Sequence, residues 1–94
     1  MENDIIELFQ RTSEENDLVQ KFRNVEVLIT IIKIRHEIEA PFKKGYGGNI
    51  DVAKKLYMEG KYEDCIYELR KVKSDIVKEI GKLQNQSRKL KSAE

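Results

Sequence analysis

Few residues of this chain are of a type that does chemistry, and their spacing decides how they read. The one cysteine, Cys65, and the one histidine, His36, would make a nucleophile and a general base if the fold brought them together. A lone histidine with no second histidine or cysteine at ligand spacing carries no metal signature, so neither a metal ligand nor a cofactor is assigned. Cys65 stands in an amphipathic run, YEDCIYEL, at a position where a small buried apolar residue is expected. The glycine run GYGG, residues 45–48, invites comparison with phosphate-cradling loops. Those follow a strand and open a helix, and the P-loop ends on a lysine and a hydroxyl, whereas Asn49 and Ile50 stand here. Carboxylates are numerous, but each lies in a helix-surface pattern with lysines nearby. No catalytic residue is assigned, and the chain is expected not to be an enzyme.

The elements that would position these residues are helical. Charged residues make up 37% of the 94, tryptophan is absent, and glycine and proline are few, which favours long charged helices over a turn-rich β-fold. Ile5, Ile6, Leu8 and Phe9 share one face of a short helix over about 4–11, with Asn3 or Asp4 as its cap. Ser13, followed by Glu14, Glu15 and Asp17, reads as the cap of a second helix over about 14–39; the pattern leaves open whether the two are continuous. In that helix the apolar positions run 18, 22, 25, 28, 29, 32, and Pro41 is expected to close it. The β-branched run VLITIIKI reads as helix rather than strand, since nothing else in the chain offers a strand to pair with it. Apolar residues on nearly all sides of residues 25–34 imply burial by several neighbours or by a second subunit.

PFKKGYGGN, residues 41–49, is a loop within a connection over 40–49. Asn49 can cap a helix over 50–59, Gly60 can end it in a left-handed conformation, and a last helix runs over about 61–90. Leu69, Ile76, Leu83 and Leu90 recur every seven residues along it, with Ile66, Val72 and Ile80 in the intervening seam; Lys73, Gly81 and Ser87 weaken the pattern. The end therefore reads as an antiparallel packing arm or a coiled-coil dimer seam that frays after residue 86. The expected fold is all-α: one domain, a small three- or four-helix bundle with a repeat-like hairpin and a long C-terminal helix.

The hairpin resembles one unit of a tetratricopeptide repeat over about residues 49–72. Ala53 stands at the small position of the first helix and Leu56 one turn on. Gly60, Tyr62, Cys65 in place of the usual alanine, and Leu69 at the large position of the second helix follow. Asn49 stands where that family has a large aromatic, Val72 replaces a small residue, and Val77 falls where a proline would end the second helix. The unit is single, not an array, whereas arrays stack three or more. The resemblance implies that Ile50, Lys54, Tyr57 and Met58 lie on a concave side, which in that family receives a peptide or helix. Read without it, Ile50, Tyr57 and Met58 pack against the apolar helix of residues 18–38. The turn is also similar to segments of the bacterial septation-ring regulator's helical repeats and of helical nucleotidyltransferase-partner domains. Ribonuclease members of the latter use an arginine and a histidine a few residues apart; Arg35 and His36 are adjacent here.

The net charge of +1 hides an asymmetry. Residues 1–40 carry nine acids against five bases, and residues 41–94 thirteen bases against eight acids. Lys82, Arg88, Lys89 and Lys91 form a basic patch that can meet phosphate or an acidic partner, but no aromatic is interleaved there to stack a base. MENDIIELFQ lacks the basic start and apolar core of a secretory signal, the longest apolar run is far short of a membrane span, and a single thiol suits a reducing compartment. A cytoplasmic location with no membrane partner is expected. The function these features favour is a non-enzymatic interaction, adaptor or regulatory protein that binds a protein partner or itself as a homodimer. Its candidate contacts are Ile50, Lys54, Tyr57, Met58, Leu83 and Leu90. The alternative is a small nucleic-acid-associated regulator using the basic C-terminal half.

Overall fold

A computed structural model describes residues 2–92, with side chains over residues 3–85. It contains four helices and, among the described residues, no strand: α1 (Glu2–Glu14), α2 (Leu18–Arg35), α3 (Ile50–Met58) and α4 (Tyr62–Ser92). The boundary between α1 and α2 falls at residues 15–17, so the first two helices are separate. Asp17, not Ser13, caps α2: its carboxylate accepts the N–H groups of Val19 and Gln20 at 3.0 and 3.2 Å. Ser13 is inside α1, and its hydroxyl donates to the Gln10 carbonyl at 2.7 Å. The charged acceptor satisfies two orphan amides, whereas the serine satisfies none.

α2 also ends earlier than the proline implies. Glu37 takes φ 51, the Glu37 N–H donates to the Ile34 carbonyl, and the Ile38 N–H reaches back to the Lys33 carbonyl at 3.0 Å. This is a left-handed helix stop made without glycine or asparagine, four residues before Pro41. It turns Ile38 inward, beside Gly60 and Tyr62 at the other helical turn.

α4 packs against both α2 and α3, and α1 closes the other side by packing against the same two helices; α1 and α4 lie at opposite corners, as do α2 and α3, which meet only at one end, where His36 reaches Tyr57. The order around the bundle is therefore α1, α2, α4, α3. Stacking of His36 on Tyr62 at one end and the Glu26–Lys73 contact further along show α2 antiparallel to α4. Ile5 and Phe9 from α1, Val25, Leu28 and Ile32 from α2, Ala53 and Tyr57 from α3, and Cys65, Ile66, Leu69 and Ile76 from α4 fill the centre. Ala53 and Cys65, with no exposed surface, let α3 and α4 close on each other. Thr12, also fully buried, donates its hydroxyl to the Leu8 carbonyl, which meets the requirement that a buried polar group be bonded.

Helix α4 has 31 residues, about 46 Å at 1.5 Å per residue, and it sets the 52 Å long dimension. Core contact along it stops at Ile76 and the half-buried Ile80; Leu83 is half exposed on the projecting part. The side chain of Leu90, the other residue of the expected seam, lies outside the described residues.

Candidate functional site

The chemistry-bearing side chains come first. Cys65 is wholly buried between α3 and α4, and its thiol is pushed up to about 12 by that burial and by the negative charge of Glu68, while a hydrogen bond with the Tyr57 backbone opposes them. A thiol held protonated in this way is not a nucleophile at neutral pH. His36 is the C-cap of α2; its Nε2 shares a hydrogen bond with the Tyr57 hydroxyl at 3.1 Å, and its ring stacks on Tyr62 at 3.8 Å between centroids. The histidine is thus part of an aromatic joint where α2, α3 and α4 meet. Among the described residues no three histidine, cysteine or acidic side chains come together as a metal would need.

The glycine loop does bind an anion, and the anion is the protein's own. From Ile38 to Gly48 the chain runs as a strap along the outer side of α4. Asp75 of α4 accepts the Gly47 N–H at 2.9 and 3.1 Å, one to each oxygen, and the Gly48 N–H at 2.9 Å. Two turns back, Glu68 accepts the Asn49 N–H at 3.1 Å and the Lys71 ammonium at 2.8 Å, which holds that lysine above its ordinary pKa. Asn49 in turn caps α3 through the N–H groups of Asp51 and Val52. Gly47 supplies φ 79, and a Cβ on Gly48 would lie 2.4 Å from the Val72 nitrogen and 2.7 Å from the Glu68 carbonyl oxygen. The strap touches α4 backbone to backbone, which only glycine permits.

Further up the strap, Arg70 donates to the carbonyls of Ala40 and Pro41 at 3.1 and 2.8 Å, turning Phe42 outward. Phe42 and Tyr46 then form one wall of an open groove whose other walls are Ile29 of α2 and Ser74 and Val77 of α4. Its volume is about 560 Å³, within the range of ligand sites. Phe42 is 77% exposed and Val77 55%, with half-exposed Tyr46 beside them: a contiguous apolar patch left in water. Arg70, Lys73 and Lys78 stand around it. The Arg70 guanidinium lies 5.8 Å from the Phe42 ring centre and the Lys78 ammonium 5.4 Å from that of Tyr46. Lys73 meets Glu26 at 3.5 Å. Aromatics and arginine over an apolar floor are the composition of an interface centre.

The residues expected to contact a partner are dispersed by the fold. Ile50 and Tyr57 are in the core rather than on an open face. α1 lies across them: Phe9 meets the Tyr57 ring at 5.8 Å between centroids, and Lys54 reaches Gln10. The concave side that the repeat resemblance offers to a helix is covered by the chain's own first helix; of the 18–38 segment expected to cover it otherwise, only the end does so, where His36 meets Tyr57. Met58 is 65% exposed and Leu83 half exposed, but they are not neighbours of the groove. Lys82 is exposed; Leu90, Arg88, Lys89 and Lys91 have side chains outside the described residues. Phe42 and Tyr46 were not singled out by sequence, because a loop has no apolar period to read; on α4, Arg70 was not noted, and Lys73 and Val77 entered only as departures from a helical pattern. The available signal was two aromatics four residues apart among the lysines of PFKKGY, with no helix face to bury them. No helix among the described residues is long and apolar enough to cross a membrane. No protein-family model, curated protein or solved structure matches the chain.

Proposed function

We propose that this chain is a non-enzymatic protein-interaction module whose contact surface is the groove between α2, the strap and α4. The observation that carries it is the exposure of Phe42, Tyr46 and Val77 side by side around a cavity of about 560 Å³. Burying such a patch is worth about 25 cal/mol per Å² to a partner. The strap that presents it is tied to α4 by charge-assisted bonds, so little ordering cost remains to be met on binding. The test is selection of a displayed random peptide library on the immobilised chain, with recovered peptides measured by fluorescence anisotropy against wild type and Phe42→Ala. Binders that lose affinity to the variant support the reading; a selection that yields no groove-dependent binder removes it.

Self-association is a second reading, favoured by a separate surface. On the outer side of α2, Ile34 is 74% exposed and Val27 nearly half, with Ile31 half-buried beside them. A second copy lying antiparallel across α2 would cover this stripe with its own. Sedimentation equilibrium of wild type and Ile34→Asp is the measurement: a dimer present in the first and absent in the second is expected. A wild-type chain that stays monomeric at high micromolar concentration excludes this reading.

A further inference from the structure

We infer that the occupant of the groove is an acidic amphipathic helix of a partner protein, an inference that rests on the groove being a protein-binding surface. Three features select that chemistry. The first is the kind of atoms the groove offers. Its walls are side chains, the carbonyls of Ala40 and Pro41 are taken by Arg70, and the Gly47 and Gly48 amides by Asp75. No strand edge is present among the described residues. With no strand edge to extend, an extended peptide has no ladder to join, whereas a helix satisfies its own backbone and presents only side chains.

The second feature is length. Arg70 to Lys78 along α4 is eight residues, about 12 Å. Apolar residues at i, i+3 or i+4, and i+7 of a docked helix span about 10 Å and so fit within that length, where Phe42, Ile29 and Val77 line the groove.

The third is charge. Arg70, Lys73 and Lys78 border the groove, no acid is among the described residues that line it, and Glu26 meets Lys73 from beside it. A helix carrying glutamate or aspartate beside its apolar stripe is therefore attracted and oriented. The same charge disfavours the projecting end of α4 from a second copy, which bears Lys78 and Lys82 and whose sequence continues with Arg88, Lys89 and Lys91. Single-stranded nucleic acid is disfavoured because the aliphatic side chains Ile29 and Val77 between the aromatics offer the polar edges of a base no partner.

The test uses three labelled probes on the full chain. One is a designed amphipathic peptide of about fifteen residues with leucine at i, i+3 and i+7 and glutamate on both flanks. The second is its counterpart with lysine for glutamate, and the third is oligothymidylate of similar length. The acidic peptide is expected to bind, to gain helical circular dichroism on binding, and to weaken about tenfold on Phe42→Ala and on Lys78→Glu. The lysine peptide is expected to bind Lys78→Glu better than it binds wild type. Both substituted side chains are exposed, and thermal melts confirm that the variants fold. Equal binding of acidic and lysine peptides, or groove-dependent binding by selected peptides with neither acids nor helical spacing, overturns the inference while leaving the interaction reading in place. Oligothymidylate binding that Phe42→Ala abolishes overturns it in favour of nucleic acid, and a dimer that Phe42→Ala dissociates overturns it in favour of a second copy. No binding of any probe or selected peptide sinks both the inference and the reading beneath it.

Discussion

Replacing Gly48 with alanine tests the strap at its tightest point. The added Cβ would stand 2.4 Å from the Val72 nitrogen and 2.7 Å from both the Glu68 carbonyl oxygen and Val72 Cγ2. Two of those three atoms are helix backbone and cannot swing aside, so the strap must either stay and be strained or retreat by about 1 Å. Staying costs about 1 to 3 kcal/mol of overpacking. Retreat stretches the 2.9 Å Gly48–Asp75 bond, the 3.1 Å Asn49–Glu68 bond and the Gly47 contacts beyond bonding range. The half-buried Gly48 and Asn49 bonds to carboxylates are worth about 1 kcal/mol each and the exposed Gly47 bond little, so retreat costs about 2 kcal/mol. The chain takes the cheaper course, which puts the loss at about 2 kcal/mol. In a domain of this size that lowers the melting temperature by about 8 to 16 °C. Urea unfolding followed by circular dichroism should show a lower midpoint at unchanged slope. Two other glycines calibrate the measurement. At Gly47 a Cβ meets nothing but the backbone holds φ 79, so alanine costs about 1 kcal/mol. At Gly81 it meets nothing inside a helix, and alanine gains about 0.5 to 1 kcal/mol. A Gly48→Ala chain within about 0.5 kcal/mol of wild type, or no worse than Gly47→Ala, would refute the backbone contact.

Three further outcomes follow from the same contacts. Asp75→Ala should cost about 1 to 2 kcal/mol, and in that background Gly48→Ala should cost much less than alone, since both act by releasing one strap; additive losses in a double-mutant cycle would contradict this. Because Phe42 and Tyr46 ride on the strap, Asp75→Ala should also weaken any groove-bound peptide, read by anisotropy. The Cys65 thiol keeps its proton to about 12 in the fold, whereas an unperturbed thiol releases it near 9.0. Stability is therefore whole below pH 9.0 and falls as the pH rises toward 12, by about 1.4 kcal/mol per unit, a slope that Cys65→Ala should remove; a native chain that reacts quickly with an aromatic disulfide at pH 8 would show the thiol is not buried as described. Tyr57→Phe deletes the hydroxyl that meets His36 and should cost about 1 kcal/mol in urea unfolding, with no loss expected if the two groups prefer water to each other.

The sequence by itself determined the all-α class and most of the helices' inward faces, while leaving open whether the first two helices are one. Helical period is a property of neighbours three and four residues apart, and Ile5 with Phe9, Val25 with Leu28 and Ile32, and Ile66 with Leu69 keep it in the core. Asn49 and Gly60 likewise act on their own few residues, and they cap and stop α3 as their types require. Local reading failed where two local solutions compete: Asp17 outbid Ser13 as a cap, and Glu37 stopped α2 ahead of Pro41 because turning Ile38 inward toward Tyr62 favours the left-handed bend.

What only the tertiary structure decided is which surfaces meet. Nothing in the period of α3 says that α1, rather than α2 or a foreign helix, covers Ile50 and Tyr57, and that choice turned two candidate contacts into core. Nothing in GYGG says that its amides face Asp75, 28 residues on from Gly47. The groove is the furthest from the sequence, since Ile29, Phe42 and Val77 share no element and no period, and are brought together by a strap whose path is set by glycine contact with another helix. Periodicity reports how one segment divides between water and protein. It does not report which other segment supplies the protein, because that depends on shape and charge compared across the whole chain.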